Sequence, residues 1–340
     1  MSITSTGNVG SVVIGRNEGA RLKKCLQSIT AYTNVIVYVD SGSTDDSVNY
    51  ARSIGVESIN LDMSLPFTAA RARNEGFFHL LQMFPDLEYV QFVDGDCEIV
   101  EGWFVQALET LQTHKDAAIV CGRRRERHPD ASIYNRFCDI EWNTPIGEAD
   151  ACGGDALIRV TPFQELGGFN PALIAGEEPE LCVRLRLAGW RIHRIDSDMT
   201  LHDASMHHVG QWWKRTMRTG HAYAEGYALH GHTVFRHYAR PLRSILIWGF
   251  VVPVFCLISL ITTYWTAWAL IPLALCMFGY AKIIWRSYAV ARIRGASRGE
   301  AFLYGTSIVL AKFPQLAGAL RYYKNKMTGK TSSLIEYKGT

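Results

Sequence analysis

A chain of 340 residues, 48% hydrophobic, has apolar material for one large core or two smaller ones, and its 35 Lys and Arg against 32 Asp and Glu leave a formal charge of only +3. That balance, with no long one-sign run and no interleaved basic and aromatic stripe in the first 200 residues, excludes nucleic acid as the expected partner. The eight cysteines include no C-x-x-C pair and read as reduced, mostly buried thiols facing a cytosol, and "MSITSTGNVGSVVIGRNEG" lacks the basic-then-apolar pattern of an export signal.

The first predicted strand is "SVVIG" (Ser11 to Gly15) and the second "VIVYV" (Val35 to Val39), both short, apolar and β-branched. Between them Ala20, Leu22, Cys25, Leu26 and Ile29 recur at near-helical spacing, which makes a β-α-β unit. A second helix is expected over "STDDSVNYARSIG", with Ser43 and Thr44 as candidate caps, then an apolar stretch at "VESINL". A helix through "TAARARNEGFFHLLQMF" and a strand "YVQFV" ending at Asp94 complete the alternation, which implies a mostly parallel sheet.

Ligands of such sheets bind beyond the carboxyl ends of the strands. Four polar clusters fall at those ends or loops: "GRNEG", "DSGSTD", "ARARNEG" and "DGDCE". In the last, Asp94 and Asp96 flank Gly95, whose freedom to bend would turn both carboxylates toward one point. Oxygen ligands so placed suit Mg²⁺ or Mn²⁺ beneath a diphosphate, although a solvated turn has the same composition. Farther on, Glu177 and Glu178 precede Pro179 and a helical pattern with Leu181, Leu185 and Ala188 on one face. The acidic pair therefore starts a helix, where the dipole favours ionised carboxylate, as ordinary capping also would.

In "TLHDASMHHVGQWWKRTMRTG", His202 is a candidate third metal ligand, and Arg215 and Arg218 are candidates to neutralise a diphosphate. Trp212 and Trp213 suit either stacking on a bound ligand or an interfacial helix. From Ser244 to Ala281 no charged residue occurs, and 38 helical residues would reach ~57 Å against a hydrocarbon thickness of about 30 Å. A hairpin of two spans broken near Thr262 to Thr266 is expected. Arg240 and Arg243 before it, and Lys282, Arg286, Arg292, Arg294 and Arg298 after it, place both ends in the cytoplasm. The third apolar stretch, about 301–320, carries Lys312 and Pro314 and is expected to lie along the interface or pack on the pair.

Together "VVIGRNEG", "VIVYVDSGSTDDS", "FTAARARNEGF", "VQFVDGDCEI", "GGDALIRV…LGGFN" and "GEEPELCVRLRLAGW" resemble, in order and spacing, the family-two inverting glycosyltransferases of the GT-A fold, over roughly Ser11 to Trp190. The resemblance implies an α/β fold, a mixed, mostly parallel sheet sandwiched by helices, as a catalytic domain over 1–235, with a membrane region over 236–340 holding the hairpin at about 244–281. It implies that Asp40 holds the donor's nucleobase, most often uracil, with Asn17, Glu18, Arg73 and Asn74 also on the nucleotide side. Asp94 would contact ribose or metal, and Asp96 would bind the cation, Mn²⁺ or Mg²⁺. The catalytic base would be Glu178 or Glu177; the family's second member is usually aspartate, so which one acts stays open. Gly153 and Gly154 would let backbone approach the donor sugar, and Asp155 would bond its hydroxyls.

The implied activity is a hexosyl- or N-acetylhexosaminyltransferase reaction moving one sugar from a nucleotide diphosphate, most often UDP, to a lipid-linked or glycan acceptor. The anchor sets it at the lipid bilayer as a multi-pass protein of the cell's inner (cytoplasmic) membrane, with the catalytic domain in the cytoplasm. "QWWKR" is only loosely similar to the Q-x-x-R-W motif of processive polysaccharide synthases, because the spacing differs. A catalytically silent membrane scaffold would be expected to have lost the carboxylates, and a nucleotidyltransferase to carry a Gly-rich, Lys-ended loop where this chain has "GRNEG".

Overall fold

The computed structural model describes residues 8–330 and 332–336; the first seven residues, part of the segment read as lacking an export signal, lie outside them. The chain opens with β1 (Val9–Gly15), α1 (Ala20–Thr30), β2 (Ile36–Asp40), α2 (Ser47–Ser53), β3 (Glu57–Asn60), α3 (Ala69–Met83) and β4 (Tyr89–Asp94), the expected alternation. Next come β5 (Cys97–Ile99), α4 (Trp103–Thr113), β6 (Ala117–Glu126), α5 (Ile133–Trp142), β7 (Gly147–Glu148), β8 (Ala156–Arg159), α6 (Val160–Glu165), α7 (Glu177–Leu187) and β9 (Arg191–His202). The rest is helical: α8 (Val209–His230), α9 (Ala239–Leu246), α10 (Val252–Thr262), α11 (Leu270–Ile293), α12 (Arg298–Leu310) and α13 (Lys312–Met327). The chain forms two compact units, Met1–His128 with Glu141–Ala204, and Pro129–Ile140 with Ser205–Thr340.

In the first unit nine strands make one mixed sheet, ordered β3-β2-β1-β4-β8-β6-β9-β5 with β7 on β9. The β3-β2-β1-β4 half is parallel, and β8 enters antiparallel beside β4. Helices cover both faces of the parallel half, which is why β1, β2 and β4 read as near-continuous apolar runs and are buried almost throughout. The predicted face of α1 is buried through Leu22, Cys25, Leu26 and Ile29. Gly76 lets α3 lie against the sheet: a Cβ there would come within 2.5 Å of Val12 and 2.7 Å of Val39. Four buried rings lock α3, β4 and α6 together, Phe77 to Phe163 at 4.5 Å and Phe92 to both Phe163 and Phe169 at 5.3 Å. One detail departs from expectation. Ser43 and Thr44 do not cap α2; they pair with Asn17 instead, Ser43 Oγ accepting its backbone N–H and the Thr44 N–H donating to Asn17 Oδ1.

In the second unit glycines set how closely the helices approach. At Gly220 of α8 a Cβ would overlap the Gln315 carbonyl of α13, and at Gly318 of α13 it would overlap that of Met217. This pairing with α13 is why α8, placed by sequence with the catalytic domain, groups with the helical region. Gly305 of α12 approaches the Ile284 carbonyl of α11 in the same way, at 2.6 Å for a Cβ. The break at Thr262 to Thr266 is present, leaving apolar helices over Ala239–Thr262 and Ala267–Ile293, 24 and 27 residues long. Pro253 offers no N–H to the preceding turn, and the helix widens there into a π-turn over Ile247–Val251. Only 17% and 6% of their most apolar windows are buried, unlike the core helices of a soluble domain, and Leu257, Leu275 and Phe278 are mostly exposed. The single helix expected at about 301–320 is two, α12 and α13, parted at Ala311. Pro314 lies in the first turn of α13, where its missing N–H breaks no helical bond.

The ring cluster generates a test of this packing. Phe163→Ala should cost about 3–5 kcal/mol, as for large-to-small changes in dense cores, read as a fall in the melting temperature of the first unit; an unchanged melt would contradict the assigned core.

Candidate active site

Strand register alone brings the polar clusters together. Gly15 pairs with Asp40 and Ile14 with Asp94, so β1, β2 and β4 end at one level. Antiparallel β8 sets Ala156 opposite Phe92, which places Asp155 and Gly154 beside Asp94. On the other half, His202 of β9 pairs with both Cys97 and Glu126, and Thr200 with Arg124. Residues more than a hundred positions apart in sequence thus surround the D-G-D turn.

At the centre is Arg73, from the second turn of α3 and only 3% exposed. Its Nη2 donates to Asp94 Oδ1 at 2.7 Å and its Nη1 to Glu177 Oε1 at 2.8 Å, with Glu178 Oε1 at 3.1 Å. Glu177 and Glu178 are the first residues of α7, launched by Gly176 at φ +82°, a left-handed conformation that glycine adopts freely. Three carboxylates therefore share one guanidinium. A Cβ at Gly154 would overlap Arg73 Nη2 and lie 2.9 Å from Asp94 Oδ2 and 3.1 Å from Glu178 Oε1, so this glycine makes room for the cluster. A second arginine, Arg124, bonds Asp155 Oδ2 at 2.8 Å and reaches Asp94 Oδ2 at 3.3 Å.

These charges sort the acids. Burial pushes the Asp94 carboxyl up, but Arg73 and then Arg124 outweigh it and hold it below the usual carboxylate range. Burial, then the neighbouring Glu177, raise Glu178 to about 7 against the opposing pull of Arg73. Glu178 is also the more accessible of the pair, with its side chain 14% exposed against 4% for Glu177.

Beside this cluster Asp96, Cys97 and His202 offer donor atoms within 4.8 Å of one another. His202 Nε2 stands 3.5 Å from Asp96 Oδ2, too far for a hydrogen bond and a spacing that two ligands of one ion have. Its buried Nδ1 has no hydrogen-bond partner among the described residues, and Trp142 packs edge-on at 4.8 Å. The Asp96 oxygens suit Mn²⁺ or Mg²⁺, with the single imidazole as a further ligand. The Cys97 thiol, raised by burial and by the Asp155 and Asp96 charges, stays protonated and donates to Asp96 Oδ1 at 3.5 Å, so it orients the aspartate.

On the other side, the loops after β1 and β2 clasp each other. Asn17, at φ +55°, accepts the Thr44 N–H at 2.7 Å; Gly19 N–H donates to Asp45 at 3.0 Å. Asp40 accepts the N–H groups of Gly42 and Ser43 through Oδ2 and the Tyr38 hydroxyl through Oδ1. Asp40 also lines a cavity of about 650 Å³ with Ser43, Val48, Asn60, Leu61 and Met63.

The other expected site residues have these places. The Asn74 amide is doubly bonded to the Phe169 backbone, accepting its N–H at 2.9 Å and donating to its carbonyl at 2.7 Å. Asp155 is fully buried, and its oxygens accept the Asp94 N–H, the Thr200 hydroxyl and Arg124. Arg73 bonds the carboxylates and is enclosed by them. Glu18 pairs with Arg21 at 2.8 Å, and Gly153 is exposed with open space where a Cβ would be. Trp212, Arg215 and Arg218 belong to α8 in the second unit. Arg124 and Thr200 were missed; the arginine run "GRRRER" at the end of a strand was the available signal.

Residues 11–167 match the family described as Glycosyl transferase family 2. Among solved structures, the chain is similar to the mannosyltransferase PcManGT from Pyrobaculum calidifontis, solved with GDP-Man and Mn²⁺, at 16% identity and TM-score 0.54, over 94% of this chain and 88% of that one. At that identity the likeness concerns the fold. S. aureus TarS (12% identity, TM-score 0.49, 88% of this chain and 55% of that) and GalNAc-T7 with UDP, GalNAc and Mn²⁺ (15%, 0.46, 69% and 55%) are more distant and carry no argument. Strand order and the acid-lined end of the sheet agree with that match: residues 11–167 are similar to glycosyl transferase family 2, on a GT-A-like fold.

Proposed function

We propose that the chain is an inverting glycosyltransferase that moves a single sugar from a nucleotide diphosphate donor, a UDP-sugar, to a lipid-linked or glycan acceptor. The observation that carries this reading is the gathering of Asp94, Glu177 and Glu178 on one buried guanidinium beside Asp96 and His202. The neighbour solved with GDP-Man and Mn²⁺ supports a nucleotide-sugar donor in general and makes the guanine nucleotide the competitor to test.

In such a transfer the bond from the anomeric carbon to the diphosphate oxygen breaks while the acceptor oxygen bonds the opposite face and gives up its proton. Glu178 takes that proton on its carboxylate, and its raised proton affinity makes it a better base near neutral pH than a free glutamate. Glu177, bonded to Arg73 and less exposed, holds the arginine. Asp96 and His202 would bind a divalent cation, which when present neutralises charge on the leaving diphosphate. The Asp40 cavity takes the base of the nucleotide. The two exposed apolar helices and the basic residues flanking them support a multi-pass position in the cytoplasmic membrane, with the acceptor presented at its inner face.

The direct test is release of UDP with Mn²⁺ present, compared across UDP-, GDP- and dTDP-sugars. Chelation, or Asp96→Ala, should abolish turnover; equal turnover in wild type and Asp96→Ala would refute the metal role. Glu178→Gln should lower kcat by about 10²–10⁴-fold with little change in donor affinity, and an equal loss in Glu177→Gln alone would assign the base to the wrong residue. Because the base must be ionised, kcat/KM should fall as pH drops through about 7, about tenfold per unit below it; a flat profile from pH 5 to 8 would contradict the role. Gly154→Ala, which forces a methyl into the cluster, should cut turnover by at least tenfold while the protein still folds, seen by an unchanged circular dichroism spectrum.

A further inference from the structure

A second group of metal-ligating side chains lies on the first unit away from the carboxylate cluster. His114 caps the end of α4, Asp116 stands in the turn before β6, and His193 is the third residue of β9. Their donor atoms all lie within 4.8 Å of one another, and the two imidazole rings stack at 4.6 Å. The backbone fixes the three independently of any ion: Ala117 N–H donates to the His114 carbonyl and Arg191 N–H to the Asp116 carbonyl, so the turn is tied to β9. Glu148, paired directly across the β7–β9 ladder from His193, adds a second carboxylate nearby.

We propose that His114, Asp116 and His193 form a binding site for a borderline divalent cation of the Zn²⁺ class, separate from the Asp96 site. The ligand types decide the class: two imidazoles and one carboxylate prefer zinc, nickel or copper to the harder Mn²⁺ and Mg²⁺, which favour all-oxygen sets. His193 Nε2 is buried and has no hydrogen-bond partner among the described residues, an orphaned lone pair or N–H that a protein seldom leaves without a role. His114 also borders a cleft of about 340 Å³ with Glu109, Thr113 and Asp196.

One group competes. Arg191 Nε lies 3.2 Å from Asp116 Oδ2 and its Nη1 3.9 Å from Glu148. Both partners of the Asp116 pair are about half exposed, and an exposed pair of this kind contributes little, so the aspartate can turn to an ion. Bound there, the cation would bridge the end of α4, the start of β6 and the start of β9. That would stiffen the parallel β6–β9 pair at the end of the strands opposite Arg124 and His202.

The test is Zn²⁺ binding to the full chain, by metal content after equilibrium dialysis and by melting temperature, in a His202→Ala background that weakens the other candidate site. One equivalent of Zn²⁺ and a rise in melting temperature are expected. His114→Ala, at an exposed position that tolerates change, should weaken that binding roughly tenfold or more, and His193→Ala should do the same. Co²⁺ should give visible absorption bands that vanish in His114→Ala. Zn²⁺ content and melting temperature identical in the His114→Ala protein and its parent would overturn the site, as would failure of the parent to bind Zn²⁺ at all.

Discussion

A single guanidinium has to answer for three acids. Arg73 touches Asp94, Glu177 and Glu178 at 3.1 Å or less, and with Glu177 it forms a buried pair, while the Asp94 and Glu178 side chains stay partly exposed. Removing one partner of such a buried pair typically costs about 3–5 kcal/mol because the remaining charge is stranded. Arg124 supplies a second positive charge through Asp155, yet the group as a whole stays short of cations. That shortage is the physical origin of the divided acid behaviour: the carboxyl closest to both arginines is held ionised, and the one farthest from compensation keeps its proton until near pH 7. A site for a further cation next to it, at Asp96 and His202, is consistent with the same imbalance.

The fold exists to hold that arrangement still. Three different elements fix the cluster: β4 holds Asp94, the first turn of α7 holds Glu177 and Glu178, and α3 holds Arg73. Supporting bonds lock those elements together, as when Arg184 of α7 spans Glu180 and the carbonyls of Leu166 and Gly168, and when Asn74 of α3 pins Phe169. The packed phenylalanines beneath keep α3 against β4. Rigidity of this kind is what places a proton acceptor within reach of a hydroxyl without reorganisation.

Much of the fold was legible in the sequence because its signals are local. The runs "SVVIG" and "YVQFV", the helical spacing of Leu22, Cys25, Leu26 and Ile29, and the charge-free stretch from Ser244 report periodicity and transfer free energy residue by residue. The D-G-D turn and the acidic helix start were legible for the same reason. The partners were not. Arg73 looked like one more polar residue near a nucleotide, and only the register of β4 against β8 and the placement of α7 show that it is enclosed by carboxylates. Asp155 was expected to bond sugar hydroxyls, because nothing in "CGGDAL" shows that Thr200 and Arg124, 45 and 31 residues away, take its oxygens. The split between α12 and α13 coincides with Lys312 and Pro314, which were read only as interruptions of one apolar stretch, and the grouping of α8 with α13 rests on two glycines whose significance is a close approach that composition does not carry.

The measurement that bears most directly on this account is the melting temperature of Arg73→Ala against wild type between pH 5 and 8, with turnover measured alongside. Without the guanidinium the three carboxyls should hold their protons more tightly folded than unfolded, so the variant's stability should be nearest wild type at pH 5 and fall away as pH rises, with turnover lost throughout. A variant that melts with wild type at every pH and still turns over donor would show that the arginine does not organise the site.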